Sequence, residues 1–197
     1  MHPDARRWNA RYGQDPDYYL QRSPYQLLQD HAELLPPSGL ALDVAAGVAP
    51  LGLFLAERGL QVIALDISLT ALRLAQGRFR QAGRDLACAV ADLTDPWLPP
   101  AHFDVILDFY FLSRPLLDRC QAALKPGGLL VCELLLWDEQ PGSNRANYLD
   151  PGELEARFSD WHIIQLNQGL RHGRGSLNGP RKIMQMVVQK PKKEQSP

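Results

Sequence analysis

Four short apolar runs, each finishing in or just before a carboxylate, constrain this chain more than any other feature. GLALDVA (39–45) carries Asp43, LQVIALD (60–66) ends in Asp66, DLACAVAD (85–92) ends in Asp92, and FDVILDFY (103–110) carries Asp108. Runs this short and apolar read as strands buried on both faces. Helix signals separate them. Pro50 suits a first turn, where its missing N–H is no loss, and Gly59 suits a stop. Ser68 can cap SLTALRLAQGRFRQAG, which ends near Gly83. RPLLDRCQAALKPGG supplies a helix with a Pro-Gly-Gly stop, and LLVCELLLW a fifth strand. Alternation at this spacing implies βαβ units, right-handed crossovers and a parallel sheet covered on both faces.

The pattern then changes. Asp150-Pro151-Gly152-Glu153 offers an N-cap, a proline at N1 and an acid at N3, which predicts a helix over roughly 151–158. WHIIQLNQ and RKIMQMVVQ follow with no helix between them, so they should pair antiparallel. Residues 5–35 read as two helical pieces, interrupted near Gly13 and Pro24 and packed as a cap over the sheet edge. The expected fold is α/β: a Rossmann-like three-layer sandwich whose mostly parallel seven-stranded sheet ends in an antiparallel hairpin.

The chain has 197 residues, 45% of them hydrophobic and 22% charged, enough for one globular domain with a sizeable core. A net charge of −1 supplies no global drive toward nucleic acid or an anionic membrane. Cys88, Cys120 and Cys132 are scattered, with no metal-ligand spacing, and read as reduced thiols. MHPDARRW lacks the apolar core of a signal peptide and no run approaches membrane-spanning length, so a cytoplasmic protein is expected. The tail QKPKKEQSP is polar and expected to fray.

In an open α/β sheet, ligands sit outside the carboxyl ends of the strands, where the strand order reverses. Asp66 lies about twenty residues beyond the first turn, where an acid can accept from both ribose hydroxyls. Asp92 is placed to accept from an exocyclic amino group such as that of adenine. Any one of these acids alone reads as a cap or loop residue, but their joint placement points to a nucleoside pocket. The first turn, LDVAAGVAPLGLFLAERG (42–59), is short of glycine: Gly47 stands among Ala45, Ala46 and Ala49. If those alanines adopt a left-handed backbone, each costs roughly 1–2 kcal/mol; in an ordinary region the cost is close to nothing.

The order LDVAAG, VIALDIS, AVADL, FDVILDFYFL, LKPGGLLV and a terminal hairpin resembles the class I S-adenosylmethionine-dependent methyltransferases. Within them, WNARY (8–12), FLAERGLQVIALDIS (54–68), FYFLSRPLL (109–117), ALKPGGLLVCE (123–133) and LDPGELEARFSDW (149–161) are most similar to small tellurite-resistance-type methyltransferases. The resemblance implies one methyltransferase domain over 1–190, with a cap or lid at 1–37, a core at 38–190 and a flexible tail at 191–197. It implies S-adenosylmethionine as cofactor. Asp43, Ala45 and the turn through Gly47 would face its methionine part, Asp66 with Ile67 the ribose, and Asp92 with Leu93 the adenine. Asp108, Phe109 and Tyr110 would line the floor near the sulfonium. Trp8, Arg11 and Tyr12 match a lid segment, and Arg114 an arginine aimed at substrate, so that Arg11, Tyr110 and Arg114 are the candidate substrate contacts. The chain departs from the family in Ala45, Ala46 and Ala49, in Val48 where a polar residue is usual, in Pro50, and in the apolar LLLWD after Glu133.

No strong general base stands out. His31 reads as packing, His102 lies at the far end of the fourth strand, His162 opens a late strand, and His172 sits in the basic segment LRHGRGSLNGPRK (170–182), read as a solvated hairpin loop. A thiolate or a reduced chalcogen acceptor needs no base, whereas an amine or hydroxyl usually does. PWLPP with Trp97 reads as a rigid loop over the adenine side, and Trp137 with DEQPGSNRAN as a flap. The expected activity is methyl transfer to a small molecule, with a thiol or chalcogen oxyanion as acceptor, by a monomer or homodimer without nucleic-acid or membrane partners. The alternatives are a non-catalytic nucleoside-binding relative and a nicotinamide-dependent oxidoreductase.

Overall fold

A computed structural model describes residues 2–138, 144–172 and 180–192. The tip of the proposed flap (139–143), the tip of the basic hairpin (173–179) and the tail end (193–197) lie outside the described residues. Among the described residues, strands β1 (Gly39–Val44), β2 (Leu60–Asp66), β3 (Ala87–Val90), β4 (Phe103–Phe109), β5 (Leu124–Leu135), β6 (His162–His172) and β7 (Pro180–Gln189) form one sheet in the order β3-β2-β1-β4-β5-β7-β6. The pairings among β1 to β5 are parallel, and β7 runs antiparallel to both β5 and β6. The expected mixed sheet with its closing hairpin is therefore present. Strand order reverses between β1 and β4, which fixes the mouth of the cleft at their carboxyl ends.

The strands alternate their side chains between two apolar layers. Ala41, Val105, Leu107, Val131 and Val187 pack with α4 (Pro50–Ala56), α5 (Leu69–Gln81) and α3 (Gln26–Asp30), the last through Leu27 and Leu28. Leu42, Val44, Ile106, Leu130, Cys132 and Met186 pack on the other face with α6 (Arg114–Ala123) and α7 (Glu153–Arg157). At about 1.5–3 kcal/mol for each fully buried large aliphatic, these layers are the main force holding the sheet flat against its helices.

Local chemistry sets most boundaries. Ser68 caps α5 by accepting from the Ala71 N–H at 3.1 Å, as its position suggests. Gly59 closes the α4–β2 connection at φ 99°, where a Cβ would sit 2.5 Å from the Pro37 carbonyl. Two boundaries differ from expectation. Helix α6 stops at Ala123, before the Pro-Gly-Gly, because buried Leu124 turns extended to pair with Phe103 and Pro126 disfavours helix at Lys125. Helix α7 starts at Glu153 with left-handed Gly152 as its N-cap, not at Pro151 with Asp150 as the cap. The Glu153 side chain accepts from the Asp150 N–H at 3.0 Å, so the acid caps backwards and the glycine makes the turn.

The N-terminal segment folds as three helices where two were expected, α1 (Pro3–Gln14), α2 (Pro16–Leu20) and α3, with the first break at Asp15, two residues past Gly13. Helix α1 lies on α5. Its Asn9 Oδ1 accepts from both Ser68 Oγ and Thr70 N at 2.9 Å, and Tyr12 and Tyr19 pack with Val48 and Ala71.

Candidate functional site

The turn between β1 and α4 follows the path that glycine takes freely. Ala45 (φ 50°), Gly47 (φ 56°) and Ala49 (φ 48°) are all left-handed. Each alanine is held there at roughly 1–2 kcal/mol by its surroundings. Ala49 is fully buried, the Ala46 N–H donates to the Leu65 carbonyl at 3.1 Å, and the Gly47 N–H donates to Asp66 Oδ2 at 2.8 Å. A Cβ on Gly47 would stand 2.5 Å from the Tyr12 hydroxyl, so this one glycine is required where the lid comes down. Ala45→Gly should raise stability by about 0.5–1 kcal/mol, the relief of strain less the added freedom of the unfolded chain. The melting temperature should rise by about 1–4 °C, and an unchanged or lower value would show that Ala45 is not strained.

The four strand-end acids occupy different environments. Asp66 is buried, and its Oδ1 accepts from the Ser68 N–H at 2.8 Å while Oδ2 holds Gly47. Burial pushes its pKa up, opposed by those two N–H groups. Each oxygen keeps a second lone-pair site for another donor. Asp92 stands exposed two residues past the end of β3, accepting from Thr94 N at 3.0 Å, with Nε2 of His2, the N-cap of α1, 3.6 Å from its Oδ2. Leu93 beside it is buried.

Asp43 is turned toward α4, where its Oδ2 accepts from Gly52 N at 3.0 Å. Burial pushes its pKa up to about 7, with the Gly52 N–H opposing and Asp66 adding to the rise. Folded Asp43 therefore binds its proton more tightly than the unfolded chain does. That stabilisation is complete below about pH 4, and it is lost as pH rises through about 7. Asp43→Asn should flatten the curve of melting temperature against pH between about 4 and 7. Parallel curves for the two proteins would remove Asp43 as the cause.

Asp108 points the other way, into the α6 layer, where it is fully buried near Cys120 and Cys132. Neither oxygen has a hydrogen-bond partner of ordinary geometry among the described residues. Burial holds its carboxyl well above the usual range, the Phe111 N–H opposing and Asp43 contributing.

Beyond β4 the backbone does something the sequence did not announce. Phe109, Glu133, Gln185 and Asn167 lie in register across β4, β5, β7 and β6. Tyr110, one residue further, should face the opposite side. Its φ of 66° turns it back, and its hydroxyl donates to Glu133 Oε1. Arg171 Nε donates to the same oxygen at 3.1 Å, and Arg171 Nη2 and Gln185 Nε2 donate to Oε2 at 2.7 and 2.6 Å. Glu133 is fully buried. Its hydrogen bond, more than its charge, raises the Arg171 pKa. Tyr25 of the cap stacks on Phe109, centroids 5.1 Å apart, and tilts against Tyr110 at 5.5 Å.

Among the remaining candidates, Arg11 donates to the Tyr19 hydroxyl at 2.8 Å and lies over Trp8, which in turn packs 5.9 Å from Tyr12. Arg114 holds the 145–153 segment, donating to Glu153 Oε2 at 2.7 Å and the Tyr148 carbonyl at 3.2 Å. Ile67 connects Asp66 to Ser68. His31 Nδ1 meets the Leu27 carbonyl, and Trp97 is 79% exposed. Trp137 packs edge-on to Tyr148 beneath Arg145. Arg171, read as part of a solvated loop, is a β6 side chain clasping a buried acid. Among the described residues no group of three His, Cys, Asp or Glu could hold a metal ion, and no helix is long and apolar enough to cross a membrane.

Residues 41–128 match the family described as "Methyltransferase domain". The chain is 36% identical over 102 residues to the ubiquinone biosynthesis O-methyltransferase of Idiomarina loihiensis, covering 48% of this chain and 41% of that one. It is 31% identical over 103 residues to the 2-heptyl-1-hydroxyquinolin-4(1H)-one methyltransferase of Mycobacteroides abscessus, covering 49% and 45%. The chain thus spans less than half the length of these curated methyltransferases. TehB from Haemophilus influenzae shares the fold, with a TM-score of 0.76 and 16% identity over 93% of this chain and 67% of that one. The likeness in fold therefore extends beyond the matched span into the hairpin and the N-terminal helices.

Proposed function

We propose that this protein transfers a methyl group from S-adenosylmethionine to a small-molecule acceptor. The observation that carries the reading is the bond from Gly47 N to Asp66 Oδ2, which brings the glycine turn and the ribose-type acid to one point at the switch in strand order. The residues fit the cofactor. It has no phosphate to press on the turn, so a loop with alanine at two left-handed positions suffices. When bound, it supplies a methyl group already activated by a sulfonium leaving group.

In this reading Ala45, Gly47 and Asp43 support the methionine side, Asp43 by fixing the start of α4. Asp66 and Ile67 hold the ribose, and Asp92 and Leu93 flank the adenine. Phe109 lines the floor and Asp108 lies behind it. Trp8 and Tyr12, on a cap comprising residues 1–37, exclude water over a core at 38–190. The acceptor meets Tyr110 on the Glu133 side of the cleft, and Arg11 and Arg114 frame it from the cap and from α6. The protein works in the cytoplasm, as a monomer or homodimer, on a small molecule rather than nucleic acid. A thiol or chalcogen oxyanion is one acceptor class, suggested by the likeness to tellurite-resistance-type proteins. A hydroxyl is the other, suggested by the O-methyltransferase relative.

Calorimetric titration with S-adenosylmethionine, S-adenosylhomocysteine and NAD tests the proposal. The first two should bind and NAD should not. Binding of NAD alone would move the protein to the oxidoreductases, and no binding would leave a non-catalytic relative.

A further inference from the structure

The Tyr110 phenol has one proton, and that proton is already used. It donates to Glu133 Oε1, and the direction of this bond follows from the partners of the acid. Both Glu133 oxygens face the Arg171 guanidinium, and a carboxylate paired to a guanidinium through both oxygens accepts rather than donates. With Tyr110 and Gln185 added, each oxygen has two donors, which fills its capacity. The phenol cannot rotate its proton elsewhere without leaving a buried, satisfied acid one donor short, at about 1–3 kcal/mol. Any further group that meets the Tyr110 oxygen must therefore donate to it.

The fold holds this arrangement at some cost. Tyr110 is an aromatic residue at φ 66°, a conformation that persists only where its surroundings over-determine it. The clasp comes from β5, β6 and β7, and Tyr25 of the cap closes over Phe109 and Tyr110 from above. The phenol thus lies just past the end of β4 against Tyr25 and close to Phe109, so an acceptor that reaches it would meet aromatic rings.

We propose that Tyr110 selects a methyl acceptor carrying a neutral O–H on an apolar or aromatic body, against anionic thiolates and chalcogen oxyanions, with Glu133, Arg171 and Gln185 as the residues that position its proton. The inference rests on the methyl-transfer reading and names its acceptor class. An O–H that donates to Tyr110 is oriented with its own lone pairs free, and the proton it must lose on methylation would pass to the Tyr110 oxygen as Tyr110 gives its own to Glu133 Oε1. An anion placed there would meet the lone pairs of a hydroxyl whose proton is turned away from it, and the nearby Arg171 guanidinium is already spent on Glu133.

Binding of three small probes, followed by fluorine NMR without cofactor, tests this independently of the calorimetry. Para-fluorophenol donates a hydrogen bond, para-fluoroanisole cannot, and para-fluorothiophenol at about pH 8 is largely anionic. Wild-type protein should bind the phenol about tenfold more tightly than either of the others, the worth of one hydrogen bond whose loss strands its acceptor. Tyr110→Phe should bring the phenol and the anisole within about twofold of each other. Glu133→Gln leaves one side-chain oxygen for Tyr110, Arg171 and Gln185 together, so the hold on the Tyr110 proton loosens and the anisole should gain on the phenol; a merely structural role would weaken both together. Equal affinity for the three probes, preference for the thiolate, no binding of any, or a preference that survives Tyr110→Phe would overturn the proposal. Failure of cofactor binding, seen by calorimetry, is a separate result and sinks the methyl-transfer reading instead.

Discussion

Asp66→Ala should weaken S-adenosylmethionine binding at least about a hundredfold, because two hydrogen bonds to a charged acceptor are worth roughly 1.5–3 kcal/mol each. The carboxylate serves two masters in this fold. One lone pair on each oxygen is spent on Gly47 N and Ser68 N, which orders the turn and the start of α5. The second pair on each is the one proposed to take a ribose hydroxyl. Alanine removes both functions, so Asp66→Asn is the informative companion. Its side-chain oxygen can still hold one of the two N–H groups, while its amide cannot accept from two hydroxyls. Calorimetry on both variants should show a large loss for alanine and an intermediate one for asparagine. An affinity within about threefold of wild type for Asp66→Ala would take the acid out of the cofactor site.

Arg171→Leu should destabilise the fold by about 3–5 kcal/mol, the usual consequence of leaving a buried charge without its partner, here Glu133. At about 2–4 °C per kcal/mol for a chain of this size, the melting temperature should fall by roughly 6–20 °C. Most of the loss should return in the double variant Glu133→Leu with Arg171→Leu, since an apolar pair of similar volume no longer carries an uncompensated charge. Additive losses would mean that the two side chains do not act as a pair. Arg171 keeps 38% of its side chain exposed while Glu133 has none, so Arg171→Leu, which leaves the buried acid uncompensated, should cost more than Glu133→Leu, which leaves a guanidinium that water can reach.

How much of this was readable along the chain can be judged from particular residues. The parallel strands, the Ser68 cap and the closing hairpin follow from apolar periodicity and short-range turn chemistry, which act within a few residues. The convergence of Asp66 on the glycine turn was likewise legible, since strand ends in a parallel sheet share one edge. Glu133 was visible only as an acid after a glycine pair, and Arg171 only as one charge in a basic stretch. Residues 110, 133, 171 and 185 have no mutual spacing that marks them. Helix α7 was misplaced at its start for a similar reason: Glu153 is drawn to Arg114, 39 positions away, and the cap shifts to Gly152.

The linear order of residues determined the layers of this protein, because burial of alternating apolar side chains leaves a βαβ chain few other ways to close. The tertiary structure alone decided the handedness of the backbone at Ala45, Ala49 and Tyr110. A left-handed residue costs energy locally, so it persists only where contacts from distant segments outweigh that cost. It decided the polarity of the Tyr110 hydroxyl too, since a phenol proton goes to the strongest acceptor in reach, and only the folded sheet brings Glu133 there.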